Sequence, residues 1–128
     1  MKRNLFVIGL VMSLFLAAAA AVAASETKKL TGYIVDNACG SPHAGDANPA
    51  EFAKGHPISC ALMPRCSQSG YALFAEGKVY KLDESGNKSV IGLLKNTKSK
   101  KGLNVTVEGT IEGDTIHVTK IAEVEATT

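Results

Sequence analysis

The sequence has no Gly-x-Ser-x-Gly or His-Glu-x-x-His segment, no phosphate-cradling glycine loop, no paired-carboxylate arrangement and no Cys-x-x-Cys pair. The first four absences remove the usual sequence signs of serine hydrolases, zinc peptidases and nucleotide-binding enzymes. The last removes the motif that would favour thiol redox chemistry. Nothing in the chain requires catalysis, and we read it as non-enzymatic. Net charge is equally scarce. The formal charge is +2, but Lys2 and Arg3 account for it, leaving twelve basic against twelve acidic residues in the remainder. A neutral domain has no electrostatic footprint for nucleic acid or an anionic membrane surface, so neither is expected as a partner.

One long uncharged run is present, from Leu5 to Ala24, behind the basic segment Met1 to Asn4. A charged start, an apolar stretch and a small-residue end at Val22 and Ala24 make a secretory signal peptide over residues 1–24, cleaved before Ser25. Twenty apolar residues are also long enough to anchor a chain in a bilayer. The alanine-rich end before the polar Ser25-Glu26-Thr27 argues for removal instead. No cysteine lies near the cleavage point, which excludes a lipoprotein anchor. The expected product is a periplasmic or secreted protein, residues 25–128, without stable membrane insertion and long enough for one modest core.

Strand signals dominate that region. Lys29 to Asp36 is rich in strand formers, with Gly32 suggesting a bend or bulge. Gly70 to Ala75 and Lys78 to Leu82 flank Glu76-Gly77, a two-residue hairpin connection. Val90, Ile91, Leu93 and Leu94 recur at helical spacing, with Asn87 or Ser89 available as a cap, and predict a short helix over 88–95. Leu103 to Glu108 and Thr115 to Thr119 alternate strictly across a turn at Glu112-Gly113-Asp114, and the residues from Glu123 onward read as frayed. The lysine-rich stretch from Lys95 to Gly102 reads as a solvated helix exit. Strand, long insertion, two strands, helix and two strands is the order of a small five-stranded OB-like antiparallel barrel, with a Cys-rich insertion at 37–69 in its first loop.

The insertion holds all four prolines and all three cysteines, and shows no sustained period of two or of 3.6. It reads as irregular, with one helical turn near Pro49 to Lys54. Such a loop is uncommon in a compact domain unless it is functional or cross-linked. Cys39, His43, His56, Cys60 and Cys66 fall within 28 residues, spaced Cys-x3-His and His-x3-Cys, with the third cysteine six residues on. Thiolate and imidazole are ligands for zinc or copper, and a tetrahedral site needs four of them. Three alternatives stay open: a metal site, a structural disulfide with one spare thiol, and thiol redox chemistry. A disulfide closing such a loop stabilises a small domain by about 2 to 4 kcal/mol. Asp36 reads as a cap for the turn 37–40, and His117 as an outward strand residue. Tyr33, Tyr71 and Tyr80 read as strand core, with a stacking face for bases or sugars as the alternative.

The segments Thr31 to Cys39, His56 to Cys66 and Ser69-Gly70-Tyr71, with Lys81 to Asn87 and the final Val-x-Gly-Thr-x-x-Gly-Asp-Thr-Ile hairpin, resemble a family of small secreted bacterial proteins of uncharacterised function. The resemblance covers nearly the whole chain after residue 24. It implies a secretory habit, and implies that Cys39, Cys60 and Cys66 belong together with His56 close by; His43 lies outside the matching stretches. The leading expectation is an exported binding protein holding zinc or copper in the Cys/His loop. The alternatives are a disulfide-stapled envelope module that binds a small ligand or protein on the barrel face, and a thiol redox partner.

Overall fold

The computed structural model describes residues 26–125. The expected signal peptide and its cleavage point lie outside the described residues. Among the described residues, no helix is long and apolar enough to cross a membrane.

Five strands, β1 (Thr27–Asp36), β2 (Tyr71–Ala75), β3 (Lys78–Leu82), β4 (Leu103–Glu112) and β5 (Thr115–Glu123), close a barrel in the order β1-β2-β3-β5-β4. This is the OB-like barrel expected, with the helix α5 (Glu84–Asn96) between the third and fourth strands. One seam departs from the antiparallel reading. β3 and β5 run parallel through Lys81↔Thr115 and Leu82↔Ile116. The reason is parity, since strand direction cannot alternate all the way round a closed ring of five.

The Glu76-Gly77 hairpin forms as read, with φ of 53° and 72°, the paired positive values of the tight turn that suits twisted strands. Gly32 makes no bend. β1 runs through it in register with β4 (Gly32↔Val105), and its missing side chain admits the Phe74 carbonyl, whose oxygen would sit 2.2 Å from a Cβ. The irregularity falls instead between Glu108 and Gly109 of β4. The last hairpin is longer than its alternating segments, and Glu123 pairs with Val105 rather than fraying. The helix also starts earlier than read. Asp83 caps it by accepting a hydrogen bond from the Gly86 amide at 2.9 Å, while Asn87 accepts from the Tyr71 amide.

The insertion is not irregular. It holds α1 (Asn37–Gly40), a 3-10 turn (Ser41–His43), α2 (Pro49–Gly55), α3 (Ile58–Ala61) and α4 (Pro64–Gln68). The turn read near Pro49 to Lys54 is α2, and the other prolines start elements too: Pro42 and Pro64 sit in first turns and Pro57 is the N-cap of α3. Proline is pre-organised for that position, where its missing N–H costs nothing.

Side chains alternate across the wall of the barrel. Leu30, Ile34, Leu73, Val105, Val107 and Ile116 fill the interior, joined by Val90 and Leu94 of α5. Val35, Ala72 and Phe74 face outward under α2, which contributes Ala53 and Phe52. Both faces of β1 are therefore covered at its end, and Asp36, the last strand residue, is fully buried.

Candidate thiol and metal site

The three cysteines come from three different helical segments, Cys39 from α1, Cys60 from α3 and Cys66 from α4. Short hydrogen bonds fix each segment. The Asn37 amide donates to the Gly70 carbonyl at 2.8 Å, the Asn37 side chain donates to Ser69 O, and the Ala38 amide donates to Ser69 Oγ. Together these bind α1 to the exit of α4. The Ile58 amide donates to Lys100 O, and the Gly102 amide to His56 O, so the 100–102 stretch holds α3 from the other side. The buried Tyr71 hydroxyl donates to Ala61 O at 2.8 Å and ties the end of α3 to β2.

The result is convergence. The sulfurs of Cys39, Cys60 and Cys66 all lie within 4.8 Å of one another. Cys66 is buried, whereas Cys39 and Cys60 are half-buried, which leaves one side of the trio open to solvent. All three are free thiols, so the stapling disulfide considered from the sequence is not formed. Metal–sulfur bonds near 2.3 Å at a tetrahedral angle put sulfurs about 3.8 Å apart, within the same range.

A second group shares Cys39. Asp36 Oδ1 accepts from His56 Nε2 at 2.9 Å, and Asp36 Oδ2 accepts from the Cys39 amide at 2.9 Å. Asp36, Cys39 and His56 have ligand atoms within 4.8 Å of one another. Asp36 and His56 are the two buried polar or charged residues among those described. The capping role read for Asp36 is therefore present. Its bond to His56, twenty residues on, was not legible, because only the tertiary fold brings the two together. What the sequence did offer was a carboxylate closing an apolar strand directly before a cysteine loop.

His56 thus joins the site through Asp36 and Cys39, in a different group from Cys60 and Cys66. His43 joins neither group. Its Nδ1 lies 2.8 Å from Asp46 Oδ2, and its ring stacks on Phe52 at 3.7 Å between centroids. His117 faces outward beside Glu112, as read. Tyr71 and Tyr80 are buried and Tyr33 half-buried, the core reading rather than a stacking face. A groove of about 500 Å³ between α5 and β5, lined in part by Ser89, Leu93, Val118 and Ile121, lies on other elements than the thiols.

Two of the thiols, Cys39 and Cys66, are held toward their protonated form. The Cys39 thiol is pushed up to about 12, first by burial, then by the Asp36 carboxylate and the adjoining Cys60 thiol. Cys66 is raised too, by burial and by Asp36, against a hydrogen bond from Cys39 that acts the other way. Burial and the same carboxylate push the Tyr71 hydroxyl up to about 12. No protein-family model, curated protein or solved structure matches this chain.

The reactivity of Cys39 follows. The thiolate is the nucleophile, and a thiol near 12 is ionised in about one molecule in ten thousand at pH 8, against roughly a quarter for an ordinary cysteine. Mass-spectrometric timing of iodoacetamide labelling on native, chelator-treated protein should show Cys39 reacting more than about 100-fold slower than in urea. Equal rates in the two states would contradict this picture of the site.

Proposed function

We propose that this chain is an exported, non-enzymatic binding protein that holds a thiophilic metal ion, zinc or copper, on Cys39, Cys60 and Cys66. The observation that carries the reading is the convergence of three free thiols from three separate helical segments within 4.8 Å. One disulfide needs two cysteines, and nothing about pairing two explains the placing of a third. A soft cation explains all three, because thiolate is the ligand type that zinc and cuprous ions prefer.

The raised thiols fit a binding role better than a redox role. A redox or nucleophilic cysteine is activated by nearby positive charge, whereas the group facing Cys39 is a carboxylate. A metal ion supplies the missing positive charge itself, deprotonating the thiols as it binds. Asp36 and His56 then serve as the support behind Cys39, since groups bonded to a metal ligand fix its orientation. The barrel supplies the rigid frame.

Protein purified from the envelope or culture medium is the material for the test. Native mass spectrometry should show a one-to-one metal adduct. After chelation and denaturation without reductant, three thiols should titrate. One titratable thiol, with a mass two hydrogens below the reduced value and no adduct, would overturn the proposal in favour of a disulfide-stapled module.

A further inference from the structure

We propose that the site takes copper as Cu(I), with the thioether of Met63 as the donor that joins the three sulfurs; this rests on the metal reading above. The described residues contain no fourth His, Cys, Asp or Glu whose ligand atom lies within 4.8 Å of all three sulfurs. A four-coordinate ion would be left one donor short. Met63 lies midway between Cys60 and Cys66, three residues from each. Its amide donates to Cys60 O at 3.0 Å and its carbonyl accepts from the Ser67 amide at 2.8 Å, so its backbone is pinned to both cysteine-bearing segments.

No structural role accounts for a methionine there. It is 54% exposed, the most exposed large hydrophobic residue among those described, and it belongs to neither core cluster. It occupies the N-cap of α4, the position where Ser, Thr, Asp or Asn folds back to accept from the second or third amide of the helix. No side-chain capping bond is made at this N-cap. Cys66 is the third residue of that helix, so a side chain folding back along the usual N-cap path runs toward the residue that carries a ligand sulfur. Met1 and Met12 belong to the first 24 residues, and Met63 is the one methionine after them.

The chemistry then separates the two candidate metals. Zinc is bound by thiolate, imidazole and carboxylate, whereas a thioether is a soft, uncharged donor that favours Cu(I). A neutral fourth donor also adds no further negative charge beside three thiolates and Asp36. Met63 is unbranched and flexible enough to close over an ion entering from the solvent side, where Cys39 and Cys60 are half-buried.

The test compares the full chain with its Met63→Leu variant, which keeps the size of an exposed side chain and removes the sulfur. Cu(I) affinity is read anaerobically by competition with bicinchoninate, and zinc affinity with a chromogenic zinc chelator. M63L should weaken Cu(I) binding on the order of tenfold or more, leaving zinc binding and the circular dichroism spectrum unchanged. Copper-edge X-ray absorption of selenomethionine-labelled protein should show copper–selenium scattering that M63L abolishes. Unchanged Cu(I) affinity, an equal loss for zinc, or no selenium scattering overturns the role of Met63. A wild-type chain that binds zinc but not Cu(I) overturns this inference and leaves the metal reading standing. A chain that binds neither overturns both.

Discussion

An Asp36→Ala variant is expected to lose about 3 to 5 kcal/mol of stability, since each buried polar group left without its partner costs about 1 to 3 kcal/mol. Two losses combine. His56, 5% exposed, is left without the carboxylate at 2.9 Å, and the Cys39 amide loses its cap. For a domain of this size the melting temperature should fall by more than about 10 °C. Asp36→Asn keeps the shape and one acceptor oxygen for the Cys39 amide, but it can bond His56 Nε2 only by donating from its amide nitrogen, with the imidazole in its other tautomer. Its melting temperature should lie between those of wild type and D36A. Thermal unfolding followed by circular dichroism decides the matter. At roughly 4 °C or more per kcal/mol, a shift within 2 °C for D36A would mean that the pair does little for the fold.

The second large effect concerns metal affinity. Replacing any one of Cys39, Cys60 or Cys66 with Ser should weaken the metal by more than about 100-fold, beyond the 10- to 100-fold effect of disturbing a supporting group. Serine is close to cysteine in size, so the barrel, whose interior uses none of the three side chains, should keep its spectrum. Equal losses at the three positions are the signature of a shared ion. A disulfide between two of them would instead leave the third variant unaffected. Chelator competition on the three variants reads the difference directly, and one silent variant would remove the trio as a site. His43→Ala serves as the comparison, because its partners are Asp46 and Phe52 and its affinity should match wild type.

The barrel was legible because its signals are local. Glu76-Gly77 lies between two apolar runs, and the residues from Leu103 to Val107 alternate without a fault. The insertion was not, and its prolines show why. A helix of four or five residues is too short for a 3.6 period to emerge, so Pro57 and Pro64 read as punctuation although they mark beginnings, and only the turn at Pro49 was legible. The cap at Asp83 was not legible either, because Val90, the first apolar residue of the helical pattern, lies seven positions further on. Membership of the site divides along the same line. Cysteines are rare enough to be noticed anywhere, so the trio was named from the sequence. Spacing alone could not separate His56 from His43, since each stands four positions from a cysteine. Only folding sends one to Asp36 and the other to Phe52.

The pairing of Asp36 with Tyr71 has a bearing on how the chain comes to be folded. That one contact shuts a loop spanning 35 positions, and every proposed ligand lies inside it. Closing such a loop is an entropic cost met before its contents can meet. Until β1 finds β2, the cysteines have no common centre, and an ion has nothing to gather around. This sets an order of events opposite to that of a zinc finger, where the metal creates the fold. At the proposed site the barrel would come first and the ion would arrive as a passenger, so removing it should leave a folded protein behind.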